Sequence, residues 1–328
     1  MQYVGIQTQI NRNNRNSIFL ILMFPCIILC MLWVFCIIFG LQTHETYQGT
    51  ETNVDWTMVN ETWIGMAPWA VGIVGIWLLI AYTFHSQMIQ SATGSRPLER
   101  RENPRIYNMV ENLCMSCGMD MPKINIINDP QLNAFASGIN KKTYTVTLTT
   151  GIMDVLSDEE LEGVIAHELT HIRNRDTKVL IISIVFVGIL STVLSIISQT
   201  VLRTFLCGGG NRKNEKGGGS IVLIGIAAVI CSAIAYFLVS LTRFAISRKR
   251  EFMADAGGAE MTRNPRALAS ALRKISADPG LRNVGREDVA QLFIIHPGKT
   301  AKNFMDMLNS MFSTHPSTEE RIRILEQF

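Results

Sequence analysis

Four windows of this chain contain no Asp, Glu, Lys or Arg: Ile18–Phe39, Ile64–Phe84, Val179–Leu202 and Ile221–Thr242. Each matches the ~20 apolar residues that a helix needs to cross a hydrocarbon core. Backbone in lipid must satisfy its own hydrogen bonds, so all four are expected to be helices of a multi-pass membrane protein. Pro25 and Pro68 are expected near ends or in early turns, where a kink is tolerated. Composition agrees, with 48% hydrophobic and 17% charged residues, against about 25% charged in soluble domains. A disordered chain is excluded. The net charge of +3, from 30 basic and 27 acidic residues, is too small to argue for a nucleic-acid partner. Seven cysteines, several inside apolar windows, argue against a secreted disulfide framework.

Arg12 and Arg15 resemble the basic start of a signal peptide. The apolar run behind them exceeds the usual ~7–15 residues, and no small-x-small cleavage pattern follows it. It reads as an anchor that stays. Lys and Arg also set the orientation. The tail before Ile18 is basic, Leu41–Trp63 has acids and no Lys or Arg, and Arg96, Arg100, Arg101 and Arg105 follow the second window. The amino-terminal tail and everything after His85 are therefore expected in the cytoplasm, with the first loop outside. Arg203, Arg212, Lys213 and Lys216 lie between windows three and four, where a simple count puts the chain outside. That hairpin either carries its charges across or dips into the bilayer without crossing.

The expected organisation is an amino-terminal tail and hairpin (1–90), a polar segment (91–178), a second hairpin with a glycine-rich linker at 208–219 (179–242), and a polar end (243–328). The fold class is mainly α, with a small sheet in an α+β part. Pro104–Cys117 has helical spacing, with Gly118 as its cap. Ile124–Asn128 and Thr143–Thr149 are β-branched runs that predict strands. Ser157 and Glu160 form a capping box at the start of another helix, and Asn264-Pro265 starts a further one.

That capped helix carries His167-Glu168-Leu169-Thr170-His171. Histidines four apart on a helix share one face, one turn of rise apart, so both imidazoles reach a single ion. Glu168 beside them is placed to hold a water. This is the H-E-x-x-H pattern of zinc peptidases, in which the Glu serves as general base. A catalytic zinc takes a third protein ligand. Glu251 is the best candidate, with Asp255 one helical turn further on, suited to orient a ligand histidine. His171 lies eight residues before Val179 and Glu251 nine after Thr242. An even number of crossings therefore returns both to one side, about 12–14 Å from the bilayer edge if the helices run straight.

His167 through Ile172 with Asn174 and Asp176, followed by Ser247-Arg-Lys-Arg-Glu251 and Ala254-Asp-Ala-Gly-Gly258, resembles the HtpX family of membrane zinc metalloproteases. Asn133-Ala-Phe-Ala-Ser-Gly138 and His315-Pro-Ser-Thr-Glu-Glu-Arg321 match further blocks of that family. The resemblance implies an inner-membrane endopeptidase with a cytosolic, gluzincin-like α+β metalloprotease domain, acting in stress-response quality control of membrane proteins. It implies one Zn2+ per chain on His167, His171 and Glu251, with Glu168 as base. His315 and Arg321 resemble residues that in related gluzincins contact substrate and the developing oxyanion. The Asn133–Gly138 segment would pair with an extended polypeptide substrate. His315 reads equally as a turn histidine, and Asn133 as a turn residue. An inactive relative serving as a membrane chaperone, or a CaaX-type narrow-specificity protease, are the alternatives.

Three other signals carry less. Cys114-Met-Ser-Cys117 has the spacing of a redox or metal pair, but no second pair lies nearby, and reduced thiols are expected. Trp56, Trp63 and Trp69 read as interfacial anchors. Arg248-Lys249-Arg250 reads as a membrane-surface cation cluster.

Overall fold

The computed structural model describes residues 6–46, 49–186, 199, 250–277 and 317–328. The first two charge-free windows are helical, within α1 (Ile6–Phe39) and α2 (Trp56–Thr93). Both are long and apolar enough to cross a membrane, with only 17% and 11% of their most apolar stretches buried. Phe19, Leu22, Trp69, Ile73 and Leu79 are exposed. A soluble domain would bury such a helix; lipid is the solvent that suits this surface. Because α2 begins at Trp56, Pro68 lies in its interior, as Pro25 does in α1. That corrects the expectation of terminal prolines. The acidic first loop is an antiparallel hairpin of β1 (Leu41–Thr46) and β2 (Gly49–Val54). Of window three, residues 179–186 are helical. Its remainder apart from residue 199, together with window four, the glycine-rich linker and His315, lies outside the described residues.

The chain divides into two units. One takes residues 19–82 and 185–241. Within it Phe24 stacks on Phe186 at 4.2 Å and Trp33 on Trp56 at 6.0 Å. Trp63 donates its indole N–H to the Leu29 carbonyl at 3.0 Å, so this anchor candidate also ties α2 to α1. Trp69 remains 76% exposed, as an interfacial anchor requires.

The other unit takes residues 1–18, 83–184 and 242–328. Its sheet has the spatial order β3 (Arg96–Pro97), β4 (Lys123–Ile127), β6 (Thr145–Thr149), β5 (Ala134–Ser137). Strands β4 and β6 run parallel, with Ile124 opposite Val146, and β5 is antiparallel to β6, with Ala136 opposite Val146. Strand β6 starts two residues later than expected because Thr143 closes a turn onto the Asn140 carbonyl.

Helices α3 (Pro104–Ser116), α4 (Thr150–Val155) and α5 (Asp158–Arg173) follow in the chain, then the described parts of α6 (176–186) and α7 (250–262), α8 (Pro265–Ser276) and α9 (Thr318–Leu325). The starts of α3 and α8 follow one rule. Asn103 and Asn264 accept from the main chain three residues on, with Pro at the first helical position. Gly118 ends α3 at φ 64°. The core packs Ile106 and Val110 of α3, Val146 and Leu148 of β6, and Leu161, Ile165 and Leu169 of α5 against Leu268 and Leu272 of α8.

Candidate metal centre

Helix α5 is held firmly at its start. Ser157 and Glu160 exchange both capping-box bonds. The Glu160 carboxylate also accepts from Ser270 and Lys274 of α8, each at 2.6 Å. Burial works to raise the Glu160 pKa, but these donors outweigh it and hold the carboxyl below its ordinary range. At the other end Asn174 caps the helix and Arg175 adopts φ 61°. This left-handed residue turns the chain back so that Asp176 Oδ2 reaches His171 Nδ1 at 3.0 Å. A non-glycine residue there costs about 1 kcal/mol or more.

Helix α7 brings the carboxylates. Its Gly257 and Gly258 explain how it comes so close to α5. A Cβ on Gly258 would sit 3.1 Å from the His167 backbone nitrogen, and one on Gly257 2.5 Å from Thr170 Cγ2. With no side chain in the way, Glu251 and Asp255 meet the histidine face of α5.

The ligand-bearing atoms of His167, His171 and Glu251 lie within 4.8 Å of one another. The two Nε2 atoms are 3.2 Å apart, and Glu251 oxygens stand 3.7 Å from His167 Nε2 and 3.6 Å from His171 Nε2. On the far side of each ring a carboxylate takes Nδ1: Asp255 Oδ1 at 3.0 Å for His167, and Asp176 for His171. In the tautomer that puts the proton on Nδ1, facing its carboxylate, each Nε2 is a lone pair. Two lone pairs pointing at each other repel unless a cation lies between them. The separation fits such an ion: ~2.0–2.1 Å zinc–nitrogen bonds in a tetrahedron put two ligand nitrogens about 3.3 Å apart. Two imidazoles and one carboxylate are also a donor set that zinc accepts. His167, His171 and Glu251 could therefore hold a metal ion.

Charges around the cluster are balanced from behind. Arg321 of α9, 2% exposed, forks onto Asp255 with Nε to Oδ2 at 2.8 Å and a terminal nitrogen to Oδ1 at 2.7 Å. The same guanidinium stands 3.4 Å from Glu251 Oε2. Burial works to raise the Asp255 pKa, but Arg321 and His167 outweigh it and hold it below the usual carboxylate range. With no cation at Nε2, burial would likewise lower His167, yet the Asp255 and Glu251 carboxylates push it up to about 9; a metal ion binds there by taking the place of the Nε2 proton. Glu168 is 3% exposed. Burial pushes its pKa up, and the Ala136 backbone N–H of β5 is directed at its carboxylate.

Strand β5 is the end strand of the sheet. Asn133 accepts from the Thr149 main chain at 3.1 Å and from its hydroxyl at 3.0 Å. Strand alternation then turns the main-chain groups of Ala134 and Ala136 away from β6. Asn133 itself is 3% exposed, and its side-chain oxygen accepts from Ala134 N.

Some side chains point elsewhere than their residue type suggested. The guanidinium of Arg250 faces inward, 3.4 Å from the Asp176 carbonyl, while Arg248 and Lys249 of the expected surface cluster lie outside the described residues. Cys114 and Cys117 are free thiols. Burial raises the pKa of both, to about 12 for Cys114, and Cys117 donates to the Leu113 carbonyl at 3.0 Å. Asp176 and Asn13, whose side chains bond to each other at 2.7 Å, have roles that residue type alone does not suggest. The Asn174 and Asp176 spacing after the histidines is the available signal for the first. Nothing in sequence flags the second.

Comparison with known proteins shows the family of the chain. Residues 100–328 match the model of peptidase family M48. A protease HtpX homologue of Bacteroides fragilis is 57% identical over 329 residues, covering 100% of both chains. One of Tropheryma whipplei is 39% identical over 248 residues, 76% of this chain and 80% of that one. Among solved structures, Ste24p of S. mikatae aligns at a TM-score of 0.47 and 16% identity, over 78% of this chain and 57% of that one. With two membrane-length helices, an H-E-x-x-H helix and relatives this similar, the chain belongs to peptidase family M48 as a membrane metalloprotease of the HtpX group.

Proposed function

We propose that this protein is a zinc endopeptidase that cuts misfolded or damaged membrane proteins at segments reaching the cytoplasmic side of the membrane. His167, His171 and Glu251 hold the ion, and Glu168 is the general base. The observation that carries this is the pair of facing Nε2 atoms at 3.2 Å, with a carboxylate oxygen 3.0 Å from each Nδ1. Zinc, when bound, makes water more acidic and polarises the scissile carbonyl.

Glu168 takes a proton from the attacking water as its oxygen bonds to the carbonyl carbon. It then delivers that proton to the departing amine nitrogen as the C–N bond breaks. A carboxyl raised by burial suits both halves of this task. An extended substrate adds along the outer edge of β5, donating to the Ala134 and Ala136 carbonyls, which face away from β6; the N–H groups of these two residues are directed at Asn133 and Glu168. Arg321 holds Asp255, and Asp255 holds the His167 ring. Four spans, with both termini and the site in the cytoplasm, follow from the charge-free windows and the distribution of Arg and Lys.

The test uses full-length protein in detergent, loaded with zinc, on casein as an unfolded substrate. Wild type should cleave. Glu168→Ala should lose about 10²-fold or more of the rate while keeping its metal, and chelator should stop the wild type. Equal cleavage by wild type and Glu168→Ala would end the proposal. Stoichiometric zinc retained by Glu251→Ala would overturn the third-ligand assignment.

A further inference from the structure

The polar turns of α1 ahead of its apolar stretch have the composition of a solvated tail, Asn11-Arg-Asn-Asn-Arg-Asn16. Asn13 is nevertheless 3% exposed. Its side-chain amide donates 2.7 Å to Asp176 Oδ1 and 2.8 Å to the Asn174 carbonyl. Its own carbonyl accepts from Ser17 Oγ, which is also buried. The next residue, Asn14, accepts from the guanidinium of Arg175 at 3.2 Å. Two neighbouring asparagines thus hold three consecutive residues, 174–176, including the left-handed Arg175. The same turn delivers Asp176 to His171.

We propose that Asn13 is a positioning residue for the metal centre, fixing the Asp176 carboxylate that in turn fixes the His171 imidazole. The proposal rests on the reading of His171 as a metal ligand. A buried carboxylate offers several acceptor sites, and its orientation is set by the donors that fill them. Asp176 Oδ2 is occupied by His171 and Oδ1 by Asn13; Arg250 stands 4.0 Å from Oδ1. Among the described residues, removing the Asn13 amide leaves Oδ1 facing only that longer contact, and the carboxylate can rotate. The imidazole then loses the bond that sets its tautomer and its angle to the ion. One element, α1, therefore supplies both a membrane-length helix and an outer support of the metal centre.

The experiment uses full-length protein in detergent, loaded with zinc or with cobalt as its spectroscopic substitute. Asn13→Ala should release zinc to a chelating dye about tenfold faster than wild type, the low end for partners beyond the ligands. Its cobalt absorption bands should shift, which a merely structural change in α1 would not cause. Asp176→Ala should release zinc faster still, and the double variant no faster than Asp176→Ala, because Asn13 acts through that carboxylate. Wild-type release with unshifted bands in Asn13→Ala overturns the proposal, as does a double variant in which the two effects multiply. If His171→Ala loses zinc while Asn13→Ala behaves as wild type, only this inference falls. If His171→Ala keeps full zinc, it falls together with the reading of the metal centre.

Discussion

Asp255 shows how much one side chain can be asked to do. It orients His167 through Nδ1 and is itself held by both arms of the Arg321 fork. Asp255→Asn keeps the shape but changes which partner donates, so the ring loses its fixed tautomer. Zinc affinity should fall about 10–100-fold, measured by competition with a chelator of known affinity. Arg321→Met should do comparable damage by leaving Asp255 buried without its cation. The part of Asp255 was legible one helical turn beyond Glu251, whereas the pairing of Arg321 with it was not. His167 and His171 announce themselves because helical periodicity puts them on one face a turn apart, and Glu168 because it stands beside them. Glu251 was inferred from the acid one turn beyond it, from counting across the second hairpin and from the resemblance. Arg321 and Asn13 reach the cluster from 66 and 163 residues away in sequence from their partners. Arginine and asparagine in polar segments carry no mark of burial.

Among the elements, the contact between α5 and α7 sets the precision of the site. Gly257→Val would drive a side chain into Thr170, with a first atom already at 2.5 Å. Overpacking of this kind costs about 1–3 kcal/mol. The variant should melt earlier and bind less zinc, seen by a thermal unfolding scan alongside metal analysis. The contact between α5 and α8 makes a pH-dependent prediction. Glu160 is held below its ordinary pKa when folded, so it contributes stability above the unfolded carboxylate range. That contribution disappears as pH falls through the folded pKa. Glu160→Gln should therefore cost about 1–2 kcal/mol at neutral pH, and its stability should converge with that of wild type in acid. Capping signals at Ser157, Asn103 and Asn264 made these helix starts readable in advance. The hairpin of β1 and β2 was not readable in the same way, because a short polar segment between two apolar windows gives periodicity nothing to show.

For the whole molecule, the orientation read from Arg and Lys can be tested directly. An epitope inserted at the turn between β1 and β2 should be reached by antibody on intact cells stripped of any outer layer. A carboxy-terminal epitope should be reached only after the membrane is opened. The reverse pattern would place the metal centre on the other face. Removing the metal should also lower the melting temperature, because a ligand bound only by the native state stabilises it by mass action. Saturating chelator should shift the melt downward and added zinc should restore it. Finally, the order in which the parts are synthesised has a consequence of its own. A ribosome translating this chain finishes both histidines, Glu251 and Asp255 before it reaches the codon for Arg321. Until then Asp255 has no Arg321 fork to hold it beneath His167, so the nascent enzyme is unarmed while it emerges among other newly inserted proteins.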